Sequence, residues 1–411
     1  MKRYLARQPI FNSERAVYGY ELLYRSGTEN HCNALHADMA SASSVDSLLL
    51  FGIERLTPGC RAFINCTRDF LLRDFATMLP KDRVVLEILE SIQMDRQVVE
   101  ACRCLKQAGY LLALDDFLDH PDWKPLVSLA DFIKVDLLLT SPADQLRLAR
   151  AYLPMNIRMV AEKVENYDEF HRTQQMGYNY SQGYFFSRPE IMSRSDIPSN
   201  KLNHLLVLQA VNREVMDIAD VSDRIKAEAS LSFRLLRYLN SPAFPLIVEV
   251  HSIPHALSLL GERGVRRWVS MIAVACMADG KPAELMTLPL IRARFCELLG
   301  PPARLAARGN DLFLLGLLSA MDAILDMRMS DVLQEITIRS DIRDALIGRP
   351  NALRDIFDLV LNYERGNFEE IASASQRLGI GEEVIPALYL ESVDWAQQIL
   401  SGHNEKELTP A

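Results

Sequence analysis

Residues 111–136 read LLALDDFLDHPDWKPLVSLADFIKVD. Two short apolar runs, LLAL and FIKV, each lead into residues able to do chemistry: Asp115 and Asp116 follow the first, and Lys134 and Asp136 belong to the second. The same figure recurs on both sides. RAFI ends in Asn65, VVL in Glu87 and RMVA in Glu162, and Gln182 opens QGYFF. From 65 to 87, 115, 134, 162 and 182 the intervals are 22, 28, 19, 28 and 20 residues. That is the length of one strand, one helix and two loops. The intervening segments have amphipathic helical patterns, as in MDRQVVEACRCLKQAG, where Gly109 is the C-cap signal.

Continuous apolar runs fit buried parallel strands, covered by helices on one side and by barrel layers on the other. Polar residues at their C-terminal ends then converge on one face, where (β/α) barrels build their sites. A carboxylate after one strand is an ordinary helix cap or loop residue. Six strand ends in succession point instead to a barrel mouth. The start differs: YLARQPIF and VYGYELLYR are separated by the turn-rich NSERA and predict a hairpin. One barrel strand is therefore expected to run antiparallel to the rest.

Near residue 190 the pattern changes. EIMSRSDIPSNK is polar and predicts a linker. Strand signals then fade. Ile225, Leu231, Leu235, Leu236 and Leu239 lie at helical spacing, in a helix expected to end at Asn240-Ser241-Pro242. The helical period returns over 254–278, and further helices are expected at 288–299, 311–325, 352–365 and 382–400. Pro301-Pro302 and Gly366 are stop signals. The expected organisation is an α/β barrel over 1–192, a linker over 193–200, an all-α domain over 201–400 and a disordered tail over 401–411.

The chain has 411 residues, enough for two cores of about 200 residues each. Apolar residues make up 49% and charged residues 24%, as in a globular protein. No run of 18 apolar residues exists and the start lacks a long apolar signal region, so no membrane span or signal peptide is expected. The seven cysteines include no CxxC pair, which fits a reduced cytoplasm. The net charge is −9 without a visible basic stripe, which argues against general nucleic-acid binding. A small anionic ligand held by metals and local cations is compatible with it.

The first half resembles the EAL domain family. The match is carried by Gln8-Pro9-Ile10, by Gly19-Tyr20-Glu21-Leu22-Leu23-Tyr24-Arg25 where the family has E-A-L-x-R, by Asn65, and by Leu86-Glu87-Ile88-Leu89-Glu90. It continues through Asp115-Asp116-Phe117, Ile133-Lys134-Val135-Asp136, Ala161-Glu162-Lys163-Val164-Glu165 and Gln182-Gly183-Tyr184. The second half resembles the HDOD domain, a relative of HD phosphohydrolases without their metal ligands. Leu235 to Pro242 and the run from Ser252 to Gly261 carry that match, and Gly316-Leu317-Leu318 stands where HD enzymes have His-Asp. The resemblance implies a modified (β/α)8 barrel joined to an all-helical domain, in an EAL–HDOD regulator.

It also implies an activity: hydrolysis of one phosphodiester of cyclic di-GMP to the linear dinucleotide with Mg²⁺ or Mn²⁺. Carried over, Glu21, Asn65, Glu87, Asp115 and Asp116 hold metal. Lys134 orients the attacking water, Glu162 is the general base and Glu90 steadies the neighbouring loop. Arg25 and Gln182 contact the ligand. The resemblance implies a protein partner for HDOD and is compatible with a homodimer.

A physical argument for metal stands apart from the family. Five carboxylates (Glu21, Glu87, Asp115, Asp116 and Glu162) at one mouth repel strongly, and one lysine cannot balance them. The alternative is a partly solvated acidic rim with Lys134 as its salt-bridge partner. Two departures bear on turnover. Leu118-Asp119-His120-Pro121-Asp122-Trp123 replaces the family's flexible Gly-Thr/Ser-Gly loop, and Leu22 replaces the alanine of E-A-L. Three functions therefore stay open: an enzyme, a receptor that binds without turnover, and a scaffold acting only through protein contacts. His120 fits a solvated loop, His251 and His255 a surface or capping role, Cys102 and Cys104 a structural role, and Trp268 a helix core.

Overall fold

Eight strands close into a barrel in chain order. They are β1 (Arg3–Asn12), β2 (Val17–Ser26), β3 (Arg61–Cys66), β4 (Val84–Ile88), β5 (Leu111–Leu114), β6 (Phe132–Asp136), β7 (Arg158–Glu162) and β8 (Tyr180–Gln182). The structure is a computed structural model, and it describes residues 3–26, 52–73, 75–187, 199–213, 215–228, 231–232, 235 and 252–404.

The expected hairpin is present. β1 pairs antiparallel with β2 and with β8, while all other neighbours are parallel. Its turn is closed by the Asn12 carboxamide oxygen, which accepts from the backbone N–H of Glu14 and Ala16 at 3.0 and 2.9 Å.

The barrel interior is layered with the strand period of two. Ile10, Phe63, Val85, Ala113, Phe132 and Val160 form a fully buried apolar layer. Two residues further along their parallel strands stand Asn65, Glu87, Asp115, Lys134 and Glu162. The polar mouth is thus the next layer above an apolar floor, and the register that seals the floor also aims the polar set inward. Tyr18 and Tyr180 pack against this floor, and their rings meet each other and those of Phe63 and Phe132 at 4.4–6.2 Å.

Outer helices are α1 (Arg96–Gln107), α2 (Pro142–Tyr152) and α3 (Tyr167–Gln175). Asp95, Ser141 and Asn166 cap their N-termini through side-chain oxygens. Gly109 takes a left-handed φ of 97° just past α1, as its C-cap reading requires.

The chain divides into two units, Met1–Phe186 with Tyr363–Glu369 and Ser187–Asn362 with Glu370–Ala411. The described part of the second unit contains helices and no strand. Its principal helices are α4 (Ser199–Val211), α5 (Ile218–Ala227), α6 (Ile253–Met277), α7 (Glu284–Leu299), α8 (Gly309–Leu318), α9 (Met321–Leu325), α10 (Ala352–Glu364), α11 (Phe368–Leu378) and α12 (Ile385–Asn404). Most of the expected linker and tail, and most of the 235–242 run, lie outside the described residues.

Three helix expectations need correction. The helix through Ile225 stops at Ala227, because Glu228 turns to an extended φ/ψ, so Leu231 and Leu235 lie beyond it. The 254–278 period is broken at Gly261, whose φ of 62° and ψ of 173° are not helical. The 311–325 segment is two helices, α8 and α9. At Gly316 an added Cβ would come within 2.4 Å of the backbone at Arg292 and Ala293, so two helices cross there at a distance only glycine permits.

Candidate functional site

Lys134 ends inside the mouth, fully buried. Its Nζ lies 3.1 Å from Glu21, 2.7 Å from Glu87, 2.7 Å from Asp115 and 2.8 Å from Glu162. An ammonium has three N–H donors and cannot serve four carboxylates equally. A second set of contacts holds Glu21: Asn65 Nδ2 donates to its Oε1 at 3.2 Å and Gln182 Nε2 to its Oε2 at 2.6 Å. Gln182 Nε2 also reaches Gln8 Oε1 at 3.2 Å.

Gly183 sets the end of β8. At its φ of 149°, a Cβ would fall 2.2 Å from the Val164 carbonyl oxygen. The Val164 N–H donates to the Gln182 carbonyl at 3.0 Å, so only glycine lets the two loops close and aim Gln182 inward.

Charge is shared unequally. Lys134 and the hydrogen bonds from Gln182 and Asn65 outweigh burial at Glu21 and hold its carboxyl below the usual range. Burial pushes Glu87 well up, with the charges of Glu21 and Asp115 adding to it. Burial also pushes Glu162 up to about 8, again with Asp115 and Glu21 adding. Raised values at Glu87 and Glu162 lessen the repulsion that a fully ionised ring would carry. The ammonium of Lys134 is held charged by its four neighbours against burial.

A second group lies at the rim. Carboxylate oxygens of Glu90, Asp115 and Asp116 come within 4.8 Å of one another. Asp116 has a left-handed φ of 40°, and burial followed by the Asp115 charge raises its pKa. Glu90 is exposed. The loop after Asp116 is clamped from outside: Asp119 accepts from Arg147 at 2.7 Å and from the Tyr152 hydroxyl at 2.5 Å. Phe117 is buried edge-on between Trp123 and Tyr152, with centroids at 5.9 and 5.4 Å. His120 is exposed and caps the short turn that Pro121 opens.

The donors fit a hard divalent cation. Asn65 Oδ1, Glu87 Oε2, Asp116 Oδ1 and Glu162 Oε2 are buried oxygens that accept no hydrogen bond. Burying such acceptors unsatisfied is costly, and oxygen-only sets of this kind suit Mg²⁺ or Mn²⁺. A solvated acidic rim describes Glu90 but not the inner carboxylates, since Glu21, Glu87 and Glu162 are all buried.

Nine of the ten residues singled out in the sequence have placed side chains at this mouth. Arg25 lies on β2 opposite Tyr4, but its side chain is outside the described residues. Leu22 is buried, and Glu21 beside it still reaches Lys134. Sequence reasoning missed Gln8, Lys163 and the Asp119 clamp. Asp136, named in the sequence without a role, is buried, accepts from the N–H of Leu138 and Leu139 at 2.7 and 3.3 Å, and pairs with Lys163. Trp268 is buried in the helical unit, and Cys102 is buried with its thiol pushed up to about 12.

Family models match residues 65–189 as an EAL domain and residues 197–346 as an HDOD domain. The chain is 32% identical to the YuxH protein of Bacillus subtilis (strain 168) over 98% of its own length and 100% of that protein. The chain belongs to the EAL–HDOD family. It is also 32% identical to the cyclic di-GMP phosphodiesterase CdgJ of Vibrio cholerae serotype O1, over 96% of this chain and 93% of that one. Among solved structures, Klebsiella pneumoniae BlrP1 in a manganese/cyclic di-GMP complex at pH 9.0 is 25% identical, covering 45% of this chain and 55% of that one with a TM-score of 0.39. The EAL model match opens at Asn65, so in this EAL–HDOD chain the hairpin that carries Glu21 is placed by the closed barrel itself.

Proposed function

We propose that this EAL–HDOD protein is a bacterial cyclic di-GMP signalling protein whose barrel binds the messenger and hydrolyses it to the linear dinucleotide. The observation that carries this reading is the ring of Glu21, Glu87, Asp115 and Glu162 around the buried Lys134, with carboxylate oxygens left over for cations. Glu21, Asn65, Glu87, Asp115 and Asp116 would hold Mg²⁺ or Mn²⁺. When bound, the cations offset phosphate charge and make a bound water acidic. Glu162 would take that water's proton, and Lys134 would orient the water and offset developing negative charge. Glu90 would steady the rim, and Gln182 and Arg25 would orient the dinucleotide. The HDOD domain would meet a protein partner. A cytoplasmic location and a homodimer belong to the same proposal. No described helix is long and apolar enough to cross a membrane.

The replacement of the glycine loop by Leu118 to Trp123 favours a second reading, a receptor that binds without turnover. One experiment separates the two. The purified full chain is incubated with cyclic di-GMP and Mn²⁺ or Mg²⁺, and products are resolved by chromatography. Linear dinucleotide, absent with Glu21→Ala, is the expected result. No product at stoichiometric protein, with calorimetric binding that Arg25→Ala weakens, would leave the receptor reading standing. No binding with or without metal would remove both.

A further inference from the structure

Lys163 follows Glu162 directly and has a left-handed φ of 55°. Asp116, just past β5, has φ 40°. Side chains other than glycine rarely adopt this conformation, and such residues persist where the surroundings enforce them. The turn brings the Lys163 ammonium onto Asp136 Oδ2. Asp136 is 3% exposed and its other oxygen is already held by two backbone N–H groups, so this carboxylate cannot move toward the mouth. Lys163 is 49% exposed on a flexible stem, and its charge also acts on Asp116 and Glu162. Lys134 is the cation of the inner carboxylates, and the charge of Lys163 acts on Asp116, which groups with Glu90 and Asp115 at the rim.

We propose that Lys163 is a built-in counter-cation of the rim carboxylates, held partly aside by Asp136, and that it makes the rim position bind a divalent cation more weakly than the inner one. This rests on the metal-binding reading above and adds an order of filling to it. A positive charge near a site opposes a second positive charge, and solvent screening limits the effect at a half-exposed lysine. Asp136 works against Lys163: it draws the ammonium away from Asp116 and cancels part of its charge. The two residues therefore have opposite influences on the same cation. A purely structural pair would behave otherwise, because breaking it from either end would loosen the site alike.

The test is a Mn²⁺ titration of the full chain without nucleotide, read by the electron paramagnetic resonance signal of free Mn²⁺. The parent protein is expected to take one cation tightly and a second more weakly. Lys163→Met should tighten the second step about tenfold, on the order expected for one partly screened charge. Lys163→Gly, which also suits the left-handed φ, should do the same and guards against misfolding of the first variant. Asp136→Asn keeps an acceptor for Leu138 and Leu139 but releases the ammonium, and should weaken the second step. Weakening by both kinds of variant, or an unchanged second step in Lys163→Gly, would overturn the proposal while leaving the metal site intact. No bound Mn²⁺ in any protein would instead remove the metal-binding reading itself.

Discussion

Glu162 shows how one side chain ties the chemistry to stability. Burial holds its proton to about pH 8, against an ordinary carboxyl value of 4.5. Between those values the folded chain keeps a proton that the unfolded chain has released. Metal-free stability must therefore fall as pH rises through that window, and the loss is complete above it. Glu162→Gln keeps the shape and removes this titration. Melting temperatures of metal-free parent and variant, compared from pH 5 to 8, should shift steadily in favour of the variant. The same substitution should lower turnover by about 10²–10⁴-fold, as expected for loss of a general base. A flat difference in melting temperature would mean that the carboxyl is not desolvated as placed. At this scale the sequence was informative where strand period and chemistry agreed. Asn65, Glu87, Lys134 and Glu162 each stand two residues beyond an apolar floor residue. Lys163 was not legible, because a lysine after a strand has the pattern of solvent-facing charge until a left-handed turn folds it onto Asp136.

Among elements, the loop after β5 changes meaning once the structure is known. In sequence, the lost glycines and Pro121 read only as stiffening. In the fold, the loop is tied down by contacts that sequence separation hides: Asp119 to Arg147 and Tyr152 on α2, and Phe117 between Trp123 and Tyr152. These contacts anchor the segment that directly follows Asp115 and Asp116. Asp119 is thus a positioning residue. Outer groups of this kind typically change metal affinity by about 10–100-fold when removed. Asp119→Ala should weaken Mn²⁺ binding by that order in a calorimetric titration, and Asp119→Asn, which still accepts from Tyr152, should weaken it less. Equal affinity in all three proteins would show that the loop needs no clamp. The helix breaks after Ala227 and at Gly261 were hidden for a related reason: apolar spacing continues across both, and only backbone dihedrals record the interruption.

For the molecule as a whole, the sequence change near residue 190 separates two kinds of core. One is a barrel floor sealed by residues from six strands. The other is built from helices that approach closely, as Gly316 does against the backbone of Arg292 and Ala293. Among the described residues, the carboxylate cluster whose repulsion a cation can relieve belongs to the first. A ligand that binds one folded unit stabilises that unit by RT ln(1 + [L]/Kd), about 2.7 kcal/mol at a hundredfold excess over Kd. Differential scanning calorimetry of the full chain should therefore resolve two transitions, and Mn²⁺ should raise one and leave the other in place. Cyclic di-GMP added with Mn²⁺ should raise the same transition further, and a chelator should reverse both shifts. Glu21→Ala identifies it: the transition that no longer responds to Mn²⁺ belongs to the barrel. A metal shift confined to the Glu21-insensitive transition would place the cation outside the mouth, and the acidic ring around Lys134 would then be a structural cluster.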